Sequence, residues 1–280
     1  MEILFIIYTV SLLIIILFFV NMYIQKFIKK NKLEENLYYG NEPLKYIPKK
    51  IFQTISDKNK INPAFKKNIE YIKRLNPDWE YKLFDDKEVI DYILSNYGEE
   101  YLDIYNMINP KYGPAKADFF RYLLMYREGG AYFDIKSAMS YPLNNIIYPD
   151  DKYILSHWEC PCHKGDLRNV EGEFCQWYII CSPKHPFLKA VIDIVKENIK
   201  TYRISDGVCK NGVLKVTGPI AYSEAIIPIL NDYPHRLVSY YEYIGLIYNN
   251  LENNMSHKNV FSKTHYTKIF EPIIINARQK

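Results

Sequence analysis

The spacing of apolar and polar side chains divides this chain into three regimes. Residues 3–25 carry no charged side chain, and 3–20 are apolar apart from Tyr8, Thr9 and Ser11. At about 1.5 Å per helical residue, that run spans a hydrocarbon core of about 30 Å. It is longer than the apolar part of a signal peptide, begins without a basic segment and lacks a small-x-small cleavage site, so residues 1–25 are expected to be a retained transmembrane anchor. Residues 26–46 are polar, with Lys and Asn and no sustained period, and read as a stalk. Residues 47–280 carry the pattern of a folded domain.

Within that domain, short β-prone runs alternate with helical periods. Residues 51–55 predict a strand, and Asn62 followed by Pro63 predicts a helix start with a side-chain cap and proline in the first turn. Residues 81–84 predict a second strand. Asp85 or Asp86 then caps a helix through Val89, Ile90 and Ile93. Pro114 opens another helix, Gly129-Gly130 stops it, and residues 131–135 follow as a strand. One amphipathic helix covers Phe187, Val191, Ile194 and Val195, and another follows Pro219. Strands alternating with helices imply an α/β sheet with substantial parallel pairing.

Composition changes this picture little. The 280 residues carry 36 basic and 32 acidic side chains for a formal charge of +4, and no basic run is interleaved with stacking aromatics, so nucleic acid is not an expected partner. The 27 tyrosines, beside many Ile, Asn and Lys, follow the codon bias of an AT-rich genome and mark no surface. Cys160, Cys162, His163 and Cys175 contain no CxxC pair and read as ordinary thiols and a loop histidine. Lys26, Lys29, Lys30 and Lys32 follow the apolar segment, which by the positive-inside rule places the domain in the cytosol.

The densest candidate chemistry lies between Lys116 and Ser137. Asp118 and Arg121 are three apart, hence on one face of a helix otherwise dominated by Phe119, Phe120, Leu123 and Leu124. Alone, such a pair reads as a surface ion pair. Downstream, however, Asp134 falls at the carboxyl edge of a strand, where open α/β sheets bind ligands.

These residues resemble glycosyltransferase family 32, the DxD-containing sugar transferases that include the initiating mannosyltransferases and the inositol phosphoceramide mannosyltransferases. Residues 47–54 (IPKKIFQT) are similar to the family's opening strand and residues 76–86 (NPDWEYKLFDD) to its second block. Ala117-Asp118-x-x-Arg121-Tyr122 with Gly129-Gly130-x-Tyr132-x-Asp134 is similar to its core, and Thr217-Gly218-Pro219 and His265-Tyr266 to later blocks. The resemblance runs in order over residues 47–275.

It implies a GT-A-like, Rossmann-like nucleotide-sugar domain behind the anchor, and hexose transfer with retention, mannose foremost. The donor would be GDP-mannose or a UDP-hexose, and the acceptor a sphingolipid or other lipid, or a glycan. Asp118 and Arg121 would hold sugar hydroxyls, Tyr132 would line the donor pocket, and Asp134 would contact hydroxyls or a metal. Gln53 of the opening block and Gly218 would contribute to substrate binding. Manganese or magnesium would bridge the diphosphate through Asp134, with His265 as a late ligand. One position departs: the last DxD acid is Lys136, which cannot ligate a metal while protonated. Lys136 would then face the substrate itself. The competing reading is a non-catalytic sugar- or nucleotide-binding pseudoenzyme of the same fold. Resemblance to Golgi enzymes also favours a luminal domain, against the lysine rule.

Overall fold

The computed structural model describes residues 46–158, 172–251 and 266–275, together with residue 17 and residues 20–22. The chain divides into two units, Met1–Pro43 and Leu44–Lys280. In the first, residues 17 and 20–22 are helical; the rest of the expected anchor and most of the stalk lie outside the described residues.

The second unit is a mixed α/β domain. In chain order its strands and α-helices are β1 (Lys50–Thr54), α1 (Pro63–Leu75), β2 (Glu80–Phe84), α2 (Asp86–Tyr97), α3 (Glu99–Met107), α4 (Gly113–Glu128), β3 (Gly130–Phe133) and β4 (Ala138–Met139). Then follow α5 (Leu143–Ile146), β5 (Tyr153–His157), β6 (Tyr178–Cys181), α6 (Pro186–Thr201), α7 (Cys209–Val216), α8 (Pro219–Ile226), β7 (Arg236–Tyr240) and β8 (Leu246–Ile247). Six strands form one sheet in the order β2-β1-β3-β6-β5-β7, and β4 pairs with β8. The ladders β1–β2, β1–β3 and β5–β7 are parallel, whereas β6 runs antiparallel to both β3 and β5. Parallel pairing is therefore substantial, with one reversed strand at the centre.

Alternation along the central strands builds two cores. Phe52, Tyr132, Ile179 and Cys181 face a layer with α2, α3, α4, α6, α7 and α8. Ile51, Ala131, Phe133, Tyr178 and Ile180 face a layer with α1, α5 and the β4–β8 pair. Because both faces are covered, β3, β5 and β6 are buried at every position. That is why β5 and β6 give no polar–apolar alternation to read in the sequence.

The start signals form as expected. Asn62 Oδ1 accepts from Ala64 N at 2.9 Å ahead of Pro63, and Asp85 and Glu88 make a reciprocal capping box at 3.0 Å in each direction. The Gly129-Gly130 stop has a steric reason beyond propensity. Both glycines have positive φ (63° and 92°), and a Cβ would lie 2.6 Å from Pro183 N at Gly129 and 2.6 Å from Lys50 O at Gly130. The strand that follows ends at Phe133, so Asp134 begins a turn rather than lying inside the expected 131–135 strand.

Cys209–Asp232 has the length and mean hydropathy (1.3) of a membrane span. It is not one rod. Thr217-Gly218-Pro219 breaks it between α7 and α8, and Val213, Val216, Ile220, Tyr222 and Ile226 are buried in the domain core. Its apolarity is that of buried core helices.

Candidate active site at the end of β3

The turn of residues 134–137 is fastened by bonds from five distant points. Asp134 N donates to Trp177 O at 2.8 Å, while Asp134 O accepts from Ser137 N at 2.8 Å and Gln53 Nε2 at 3.0 Å. Asn68 of α1 donates through Nδ2 to Ile135 O (2.9 Å) and Ser137 O (3.0 Å). Asn250 N donates to Lys136 O at 2.8 Å, and Ser137 Oγ donates to Tyr248 O at 2.7 Å. With its backbone groups used this way, the turn is a rigid mount for the side chains of Asp134 and Lys136.

Behind the turn, α4 supplies a buried ion cluster. Arg121, 4% exposed, places Nη2 3.0 Å from Asp134 Oδ1 and 3.2 Å from Asp118 Oδ1, with its guanidinium 4.8 Å over the Tyr132 ring. Its Nη1 donates to Gln176 O (2.9 Å) and Gln176 Oε1 (2.8 Å). Asp118, 3% exposed, also accepts from Gln176 Nε2 at 3.2 Å and, through Oδ2, from Thr217 Oγ1 at 3.0 Å. Burial raises the Asp118 carboxyl above the usual carboxylate range despite Arg121 beside it. Asp134 differs: 27% of its side chain is exposed. The cluster thus presents one accessible acid, oriented by a cation that a second, buried acid holds in place.

The other expected site residues are distributed as follows. Tyr132 is buried with its hydroxyl 3.0 Å from Thr54 Oγ1, and burial pushes its phenol up to about 12. Gln53 is fully buried, its Oε1 accepting from Tyr81 OH at 2.7 Å, so both ends of its amide serve the scaffold of the turn. Gly218 lies next to Thr217; its N donates to Val213 O at 2.8 Å, and a Cβ there would be 2.9 Å from Leu214 Cα, which accounts for glycine by packing. Lys136 is 7% exposed, and its ammonium lies 3.6 Å over the Tyr248 ring. His265, Cys160, Cys162 and His163 lie outside the described residues.

A divalent cation does not fit this turn. At Asp134 it would face the Arg121 guanidinium, and two residues on, the same turn carries the Lys136 ammonium rather than a second acid. Among the described residues, no group of three His, Cys, Asp or Glu side chains is placed to hold a metal.

Gln176, which bridges Asp118 and Arg121, gives no signal in the sequence. A neutral amide just ahead of a buried strand belongs to no charge or spacing pattern.

Residues 62–153, which contain α4 and the turn, match the family model described as glycosyltransferase sugar-binding region containing DXD motif. Over these residues the chain is similar to DXD-type glycosyltransferases. Within it, Asp134-Ile135-Lys136 stands where the sequence resemblance expects the DxD acids. The initiation-specific alpha-1,6-mannosyltransferase of Schizosaccharomyces pombe is 29% identical over 202 residues, which cover 66% of this chain and 49% of that protein. Inositol phosphoceramide mannosyltransferase 1 of the same organism is 26% identical over 156 residues, 54% of this chain and 44% of the relative. These are the two enzyme groups that the motif blocks resemble. The chain spans about half the length of the curated relatives it matches. Among solved structures, the PaToxG glycosyltransferase overlaps at a TM-score of 0.47 and 16% identity, over 76% of this chain and 82% of that one, an overlap too loose to assign a fold family.

Proposed function

We propose that this chain is a membrane-anchored, retaining glycosyltransferase of GT-A-like architecture that moves a hexose, mannose foremost, from a nucleotide sugar to a lipid or glycan acceptor. The observation that carries the reading is the Asp118–Arg121–Asp134 cluster, mounted at the carboxyl end of a central strand inside a DXD-type region. Its geometry suits sugar recognition, because a carboxylate held by an arginine is a fixed acceptor for hydroxyl groups. Asp134 is the group that reaches the donor sugar. Asp118 and Arg121, nearly closed to solvent, are positioning residues that act through Asp134 and the half-buried Gln176. Tyr132, buried under the Arg121 guanidinium, supports the donor site through that contact. The mannose and lipid-or-glycan parts of the reading are supported by the names of the relatives, and the anchor by the uncharged residues 3–25.

The experiment is a donor screen with the full-length chain in detergent, with radiolabelled GDP-mannose, UDP-glucose and UDP-galactose offered to an inositol phosphoceramide and to a mannose-containing glycan. The expected outcome is transfer from one donor, reduced about tenfold to a hundredfold by Asp134→Asn, as for loss of one charge-assisted hydrogen bond. No transfer from any donor, or an Asp134→Asn variant at wild-type rate, would remove this reading. Donor hydrolysis in the absence of acceptor, without transfer in its presence, would indicate a hydrolase.

A further inference from the structure

Of the two charged side chains on the 134–137 turn, one carries the sign opposite to a metal ligand. Lys136 is no incidental surface lysine: it is buried, its carbonyl is bonded by Asn250 N, and its ammonium rests on Tyr248. That ring is braced in turn, edge-on against Trp158 (4.8 Å between centroids) and Trp177 (5.5 Å). The ring face orients the ammonium. Asp134 and Arg121 both lie within electrostatic range of Lys136.

An aspartate carrying a divalent cation presents one net positive charge at this position, and a lysine presents the same charge directly. Resting on the nucleotide-sugar reading above, we propose that the Lys136 ammonium replaces the divalent cation against the donor's diphosphate, so that donor binding and leaving-group departure proceed without a metal. In the transfer step, the bond between the sugar C1 and the β-phosphate oxygen breaks with its electron pair leaving on that oxygen. The acceptor hydroxyl oxygen bonds to C1, and its proton passes to the departing phosphate. Negative charge grows on the diphosphate as this bond lengthens, and a fixed ammonium stabilises it there. Tyr248 is the positioning residue for that ammonium.

The test is calorimetric titration of the full-length chain in detergent with GDP and UDP, and with GMP and UMP as controls, in EDTA and again with manganese. The expected result is diphosphate binding by the wild type in EDTA, weakened about tenfold or more in Lys136→Met, largely retained in Lys136→Arg, and much less affected for the monophosphates. Lys136→Asp is expected to bind the diphosphate only when manganese is supplied. Thermal unfolding of each variant identifies loss of fold, and the arginine variant keeps the charge arm readable if the methionine variant is unstable. Diphosphate binding by the wild type only with manganese, or unchanged binding by a folded Lys136→Met in EDTA, overturns the proposal and leaves the transferase reading standing. Binding of neither diphosphate under either condition overturns both.

Discussion

His185 is fully buried at the start of α6, where Nδ1 accepts from Phe187 N at 3.3 Å and Nε2 donates to Pro234 O at 3.1 Å. That arrangement requires neutral imidazole, since a proton on Nδ1 would meet the Phe187 N–H. Burial lowers its pKa from 6.5 to about 4. The unfolded chain then binds the proton more readily than the folded one between pH 6.5 and 4, so stability falls as pH falls through that window. Between pH 6.5 and 5 the loss is about 1 to 2 kcal/mol from this residue. Urea midpoints at the two pH values are expected to show it, and His185→Asn, which keeps an acceptor for Phe187 N, is expected to flatten the dependence. An unchanged slope in that variant would show that other groups govern it. The same scale separates the two acids of the site. From sequence, Asp118 and Asp134 look alike; folding buries the first and leaves the second partly open. Asp118→Ala would leave the buried Arg121 short of a partner and cost about 3 to 5 kcal/mol of stability, whereas Asp134→Asn is expected to act on the proposed donor binding.

Among elements, the α4–β3 junction shows how glycine placement fixes the site. Gly130→Ala combines a φ of 92° with a Cβ 2.6 Å from Lys50 O in the neighbouring strand, a backbone atom that cannot move without disturbing the β1–β3 ladder. The expected cost is about 2 to 4 kcal/mol, read as a shift in urea midpoint. Gly98→Ala is the control: its φ is 79° and ψ −176°, but nothing lies within 4 Å of a Cβ there, so only the conformational cost of about 1 to 3 kcal/mol applies. Equal losses for the two variants would show that the contact with Lys50 carries no weight. Helix starts and this junction were legible because caps, prolines and glycines act within a few residues of themselves. β5 and β6 were not, because strands buried on both faces lose the alternation that identifies a strand.

For the molecule as a whole, the uncharged residues 3–25 set the expectation of a single-pass anchor. Carbonate extraction of the full-length chain is expected to leave it in the membrane pellet, and release of uncleaved protein into the soluble fraction would remove the anchor. Protease protection in sealed vesicles then places the domain: degradation agrees with the lysines that follow the apolar run, and protection with a luminal enzyme. The apolar Cys209–Asp232 stretch is expected to contribute nothing to extraction, because its apolar side chains are spent on the domain core.

The sequence by itself determined the order of strands and helices from β1 to β3 apart from α3, which no cap or proline announces, together with the sign of the charges on α4 and the resemblance of the 117–136 block to a DxD motif with Lys136 in place of its last acid. Each of these depends on neighbours a few residues apart, and local spacing records them. Tertiary structure alone decided that Gln53, Asn68, Trp177, Tyr248 and Asn250 would converge on one four-residue turn. It also decided that Gln176 and Thr217 would complete the Asp118–Arg121 pair, and that Lys136 would be buried against an aromatic ring. These bonds join positions far apart in the chain, and a neutral amide or a lone tyrosine acquires its role only when packing has removed the water that would otherwise satisfy it.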